Sequence, residues 1–339
     1  MKVDDHYMPN HINFAITYRC NAKCKHCSIN ANYISNGKQY NEMDKEEIFG
    51  TIEQLADIGL MFLGITGGEA ILHPNIFEII KFSKEKDLFV SIASNGLAIN
   101  PKIINKLCDC KLDGILISID HVDAKIHNKI RGIDGLYDNA INAIKMCVEN
   151  GLYTTVGMTP MKINVDSFYD LVELAKNLGA NAVNISSFIP TGRGEKKDDL
   201  TAREWKEFTQ NVIKATKLYK GKIDIHFHDP RLNILNKGTS TFVGDISGCL
   251  AGYTHCYILP DGTVTPCVML PKIIGNVRNK HIKDILINYQ KEEDFFNRSK
   301  IKGKCGTCKF KLKCGGCRAV AYAYTSDDHE EDSRCWFIT

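Results

Sequence analysis

The sequence predicts an α/β fold: a partial (β/α)6 barrel of the TIM type followed by a small cysteine-rich domain. Three observations carry this. Strand-like and helix-like runs alternate from residue 12 to about 188, and a helix after every strand implies parallel strands joined by crossovers. The units number six, too few to close an eight-stranded barrel. The fourteen cysteines segregate, three at 20–27, three in the middle and eight between 249 and 335.

"INFAITY" reads as a buried strand. "DKEEIFGTIEQLADIG" reads as a helix, with Asp44 and Glu47 as a capping box and Ile48, Ile52 and Leu55 on one face. "FLGIT" is a strand, "NIFEIIKFSKEK" a helix, "LFVSIAS" a strand, "PKIINKLC" a helix and "DGILISI" a strand. "YDNAINAIKMCVEN" is a helix, "YTTVGMT" a strand, "SFYDLVELAKNLG" a helix ending at Gly179, and "AVNISSF" the sixth strand. After "IPTGRGEKKDD" the alternation lapses into one more helix, "AREWKEFTQNVIKATKLY", and the segment "KIDIHFHDP". The chain divides accordingly into a barrel at 1–190, a bridging region at 191–245 and the cysteine-rich domain at 246–339.

Hydrophobic and charged fractions of 44% and 24% are those of an ordinary globular protein. A net charge of +3 leaves no nucleic-acid footprint. "MKVDDHYMPN" lacks the apolar core of a signal peptide and no run is long enough to span a membrane, so a cytoplasmic protein is expected. In that reducing setting, cysteines serve metals rather than disulfides.

"CNAKCKHC" places Cys20, Cys24 and Cys27 at the C-terminal end of the first strand, the face that carries chemistry in parallel barrels. Structural zinc takes four protein ligands, and no fourth is evident nearby. A four-iron cluster on three thiolates keeps one iron open to a small molecule. In the tail, Cys249, Cys256, Cys267, Cys305, Cys308, Cys314, Cys317 and Cys335 make eight thiols, enough for two four-ligand clusters. Paired Cys-x2-Cys steps also suit zinc ribbons, but those separate their pairs by roughly 15–20 residues, and here only "KFKLK" intervenes.

The Cys-x3-Cys-x2-Cys triplet resembles that of the radical S-adenosylmethionine superfamily, and the resemblance runs from residue 12 to 337. It implies a 4Fe–4S cluster on Cys20, Cys24 and Cys27 whose open iron chelates S-adenosylmethionine. Reductive cleavage of that cofactor to a 5′-deoxyadenosyl radical would follow, and the radical takes a hydrogen atom from substrate. "GGEA" after the second strand resembles the family motif that meets the methionine amino group, through Gly67, Gly68 and Glu69; Ala70 stands where a proline is usual. Ser94 and Asn95 resemble residues near the ribose; Ser118 and Asp120, further cofactor-binding candidates, end the fourth strand facing the same way, and Arg131 resembles the arginine that meets the carboxylate.

The tail resembles the SPASM extension of this superfamily. Twelve residues separate Cys249 from Gly262 and four separate Gly262 from Cys267, and the next thiols are spaced by two and five. By that resemblance Cys249, Cys256, Cys267 and Cys317 hold one auxiliary 4Fe–4S cluster and Cys305, Cys308, Cys314 and Cys335 a second, three clusters in all. Both would be saturated and serve electron transfer. The interval 271–313, with twelve Lys or Arg against four Asp or Glu, suits an acidic donor such as flavodoxin or ferredoxin, or a solvated face.

Cys108, Cys110 and Cys147 are expected as small buried hydrophobes, and His226 and His228 of "HFHD" as core or substrate contacts. The resemblance divides between peptide maturases and haem-pathway enzymes, with "IPTGRG" and "CGGCRAVAYAYT" closest to haem-pathway and mycofactocin members. Val268 replaces the aspartate base of sulfatase-maturing enzymes, and only nineteen residues precede Cys20, short of a leader-binding domain of ~90 residues. Arg193 and Arg231 are candidate partners for tetrapyrrole carboxylates. The expectation is an oxygen-sensitive maturase of a ribosomal peptide or protein. Oxidative decarboxylation of tetrapyrrole propionates is the alternative. A non-catalytic iron–sulfur or zinc-binding protein is the alternative from another class. No catalytic side chain is assigned.

Overall fold

The computed structural model describes residues 2–3, 6–33, 41–235, 246–293 and 298–337. Residues 236–245, the end of the bridging region, lie outside it. The barrel elements are β1 (His11–Ala15), α1 (Lys45–Asp57), β2 (Phe62–Thr66), α2 (Ile76–Glu85), β3 (Phe89–Ser94), α3 (Pro101–Asp109) and β4 (Gly114–Ser118). They continue with α4 (Ala124–Arg131), α5 (Leu136–Glu149), β5 (Tyr153–Met158), α6 (Phe168–Asn177) and β6 (Ala182–Ile185). Then come α7 (Ala202–Leu218), β7 (Asp224–Phe227), β8 (His255–Ile258), β9 (Thr263–Thr265), β10 (Gly275–Asn276), α8 (Ile282–Glu293) and α9 (Arg318–Thr325).

One sheet runs β7-β6-β5-β4-β3-β2-β1-β8-β9-β10. Strands β1 to β6 pair in parallel, as the alternation requires. Two more parallel strands extend them. β7, which the bridging region contributes through α7, pairs with β6, and β8, from the cysteine-rich region, pairs with β1. The barrel thus has eight parallel strands among the described residues, left open between β7 and β8.

Side chains alternate across each strand. The helix-facing set, among them Ile12, Phe14, Ile65, Val90, Ile92 and Ile117, is at most 1% exposed and merges with Ile48, Ile52 and Leu55 of α1 into the main core. Asp44 and Glu47 form the capping box that starts α1. Cys108, Cys110 and Cys147 lie in or against that core, as their helical setting suggests. The opposite, inward face is polar and open, and it positions the site. No helix among the described residues is long and apolar enough to cross a membrane.

Candidate functional site

The loop after β1 carries Cys20, Cys24 and Cys27, and backbone contacts from three sides hold it. The Gly68 and Glu69 N–H groups donate to the carbonyls of Thr17 and Arg19 at 2.7 and 2.8 Å. The Lys23 and Lys25 N–H groups donate to the carbonyls of Arg131 and Ile130 at 3.0 and 2.9 Å. Arg193 donates from Nε to the Cys24 carbonyl at 2.8 Å, from Nη1 to that of Ala31 at 2.7 Å, and from its backbone N–H to that of Cys27 at 3.0 Å.

The glycines of "GGEA" serve this loop directly. Gly67 has φ +148°, and a Cβ on Gly68 would stand 2.2 Å from the Arg19 carbonyl oxygen. Gly192, at φ +60°, approaches the Cys27 carbonyl in the same way. "IPTGRG" is therefore a brace for the cysteine loop, and Arg193 is spent on its carbonyls rather than free for a substrate carboxylate. Arg231 is spent too: it pairs with buried Asp229, donates to the Arg334 carbonyl at 2.7 Å and stacks on Trp336.

Cys20 and Cys24 feel the thiols around them. Burial pushes Cys20 up to about 12, the Ala22 N–H works against this, and the charges of Glu69, Cys24 and Cys27 add to it. Burial also raises Cys24, while Arg131, whose Nη1 lies 3.7 Å from the Cys24 sulfur, opposes the rise. Buried thiols of this kind become thiolates when a metal displaces their protons. A single ion needs its ligand atoms mutually close. Among the described residues only Asp327, Asp328 and His329 bring three such atoms within 4.8 Å, and no cysteine set does. A multi-iron cluster separates its ligands by its own width and needs no such closeness.

Glu69 lies 1% exposed at the end of β2. One carboxylate oxygen accepts from the Asn95 N–H at 2.8 Å, and the other is buried without a partner. That free acceptor fits an amino group. Burial pushes Glu69 up to about 7 against the hydrogen bonds from Asn95 and Ser94. Its folded pKa exceeds the unfolded value, so the ligand-free protein loses stability as pH rises from about 4.3 through 7, reaching about 3 kcal/mol. Glu69→Gln is expected to recover that amount at pH 8 and nothing at pH 4, which anaerobic urea melts at both pH values check.

Ser94 is buried and accepts from the Gly96 N–H at 3.0 Å; Asn95 bridges to Asn21 at 2.7 Å. Ser118 faces inward, half-buried. Asp120 does not: it is fully buried, 2.7 Å from Arg131 Nε and 3.7 Å from His26, and accepts from the Thr159 N–H at 3.0 Å. Burial would raise the Asp120 carboxyl, but Arg131, His26 and His127 hold it below the ordinary range. Asp120 and Arg131 thus form an internal pair behind Cys24. Arg131 closes α4, a helix unread in the sequence, capped by Asp123 and ended by Gly132 at φ +69°.

In the tail, Cys305, Cys308, Cys314 and Cys335 line one cavity. Backbone N–H groups of Asp332, Phe310 and Gly316 approach the first three sulfurs at 3.3–3.4 Å. Burial raises Cys267 to about 11, with Cys249 adding to it, and burial raises Cys317, with the charges of Cys249, Asp332 and Cys267 adding. Cys256 does not join them. It is the register partner of Ile12, turns to the helix-facing side of β8 and packs in the main core at 1% exposure. Strand alternation sends its neighbour Tyr257 inward instead. Burial raises Tyr257, a hydrogen bond with Thr66 opposes this, and the charges of Cys27 and Cys267 add to it. This buried, inward-facing phenol feels charge from both thiol loops, a setting that spacing did not reveal.

A model of the Radical SAM superfamily matches residues 14–175, and one of an iron–sulfur cluster-binding domain, SPASM, matches 249–315. The AdoMet-dependent heme synthase of Methanosarcina barkeri is 30% identical, over 96% of this chain and 96% of its own. The antilisterial bacteriocin subtilosin biosynthesis protein AlbA of Bacillus subtilis is 28% identical, over 88% of this chain and 65% of its own. Among solved structures, Streptococcus suis SuiB bound to S-adenosylmethionine superposes with a TM-score of 0.79 at 18% identity, covering 98% of this chain and 78% of that one, a likeness of fold.

Proposed function

This chain belongs to the radical S-adenosylmethionine superfamily and is a radical SAM/SPASM enzyme; on that premise we propose that it oxidises a C–H bond of a substrate held in the barrel lumen, with a tetrapyrrole propionate as the first reading. Cys20, Cys24 and Cys27 would hold the cluster that binds S-adenosylmethionine, and Glu69 would accept from its amino group. Cys305, Cys308, Cys314 and Cys335 would hold one auxiliary cluster, and Cys249, Cys267 and Cys317 the other. When bound, these groups supply a hydrogen-abstracting radical and an electron acceptor.

The observation that carries the proposal is Tyr257. Its phenol turns to the inward face beside Asn13 and feels the charges of Cys27 and Cys267, which supports a substrate held between the two thiol sets, as a two-electron oxidation needs. Loss of a hydrogen atom from the propionate β-carbon, then of CO2 and one electron, leaves a vinyl group and balances. The sequence alone favours a peptide. The match to heme synthases, at 26–30% over 87–96% of their own lengths, moves the tetrapyrrole ahead. A peptide remains the second reading, supported by AlbA, by the sporulation killing factor maturation protein SkfB and by PqqA peptide cyclases.

Anaerobic protein with S-adenosylmethionine and dithionite is expected to yield 5′-deoxyadenosine, and an iron porphyrin bearing propionates is expected to lose one CO2 and two hydrogens per side chain by mass spectrometry. A porphyrin left unchanged while a precursor peptide is modified would give the second reading the place.

Arg318 supports the auxiliary assignment. Its Nε and Nη2 are buried without partners, and a Cβ on Gly316 would stand 2.6 Å from that Nη2 and 3.0 Å from the Cys305 sulfur. Donors and positive charge there stabilise a reduced cluster. Arg318→Gln is expected to lower an auxiliary midpoint by on the order of 60 mV, tenfold for one electron, in an EPR-monitored redox titration.

A further inference from the structure

Three imidazoles line the open seam of the barrel. His11 opens β1 and His255 opens β8; the two are register partners, so their side chains leave the same inward face. His228 follows β7 directly, and its ring meets that of His255 at 5.9 Å between centroids and 73° between planes. The three therefore meet where no strand ladder joins β7 to β8.

Apolar surface lies beside them. Phe62 and Phe89 continue the register row of His11 across β2 and β3. Their rings are 5.4 Å apart, and they remain 41% and 42% exposed although they head core strands. The next inward row runs Tyr257, Asn13, Gly64, Ser91 and Gly114, with the Asn13 carboxamide lying over Gly64. An imidazole in one register row with exposed aromatic rings suits a flat apolar ligand that bears a metal.

A bare ion suits it less, because these histidines do not form a group of three close ligand atoms. Iron already held in a macrocycle asks the protein for only one axial nitrogen. His255 offers it: Nδ1 lies 3.4 Å from the Thr254 hydroxyl, which leaves Nε2 for the metal. Tyr257 lies two residues further along the same face, about 7 Å away at the strand rise. A tetrapyrrole spans a similar distance from its iron to its side chains.

We propose that His255, with His228 and His11 around it, is the axial ligand to the iron of a metallated tetrapyrrole substrate, which brings the macrocycle's side chains to the level of Tyr257. This rests on the tetrapyrrole reading of the proposed function. The iron belongs to the substrate and is not a resident cofactor.

The test is a spectroscopic titration of the cluster-loaded protein, without S-adenosylmethionine, using ferric mesoporphyrin IX and metal-free mesoporphyrin IX. The ferric form is expected to show an imidazole-ligated Soret and EPR signature and to bind at least tenfold tighter than the metal-free form. His255→Ala is expected to lose the signature and the tenfold preference, added imidazole to restore the signature, and His228→Ala to weaken binding less. Equal binding of both porphyrins, or an unchanged signature in His255→Ala, overturns the axial ligand and leaves the tetrapyrrole reading standing. Failure of the wild-type protein to bind either porphyrin overturns both.

Discussion

Alanine at Cys20, Cys24 or Cys27 is expected to abolish 5′-deoxyadenosine formation completely, and to remove roughly a third of the protein's iron if each of three sites holds a four-iron cluster. The three thiols share one loop, and the charges of their neighbours help to raise Cys20 and Cys24. His26, the neighbouring imidazole, turns its Nε2 towards Asp120 at 3.7 Å. Iron analysis and product chromatography on each variant check this. Cys256→Ala provides the contrast. A core thiol on the far side of β8 is expected to leave both iron content and 5′-deoxyadenosine formation near wild type.

Asp120→Asn is expected to cost about 3–5 kcal/mol, because it leaves the Arg131 guanidinium buried without its counter-charge. The damage should spread to chemistry, since the carbonyls of Ile130 and Arg131 anchor the cysteine loop through Lys25 and Lys23. Anaerobic melting and the rate of cluster bleaching in air read the two effects separately. Adding Arg131→Gln should recover much of the stability, since no isolated charge then remains, but not the cluster, because Cys24 has lost its guanidinium neighbour at 3.7 Å.

The first six strands were legible because their apolar runs and caps are local signals, as Asp44 and Glu47 show at α1. Strand β7 was not: "DIHF" alternates charged and apolar residues at the sheet edge, with two of its four residues exposed, so it carries little hydrophobic pattern. Strand β8 joins β1 across more than 240 residues, pairing Cys256 with Ile12, and no short-range feature announces such a partner. The same gap explains the site. Cysteine spacing marked where the metals belong, but only the face of β8 shows that Cys256 turns away and Tyr257 turns in. Arg193 and Arg231 carried the right charge for substrate carboxylates, yet backbone carbonyls and Asp229 had already taken them.

The central claim is an iron that the N-terminal thiols hold but do not saturate. Mössbauer spectra of oxygen-free protein, recorded with and without S-adenosylmethionine, test it most directly. One iron of the N-terminal cluster should change its isomer shift when the cofactor is added, and Cys24→Ala should lose that response. A site that holds zinc, or a cubane whose four irons all ignore the cofactor, would contradict the account.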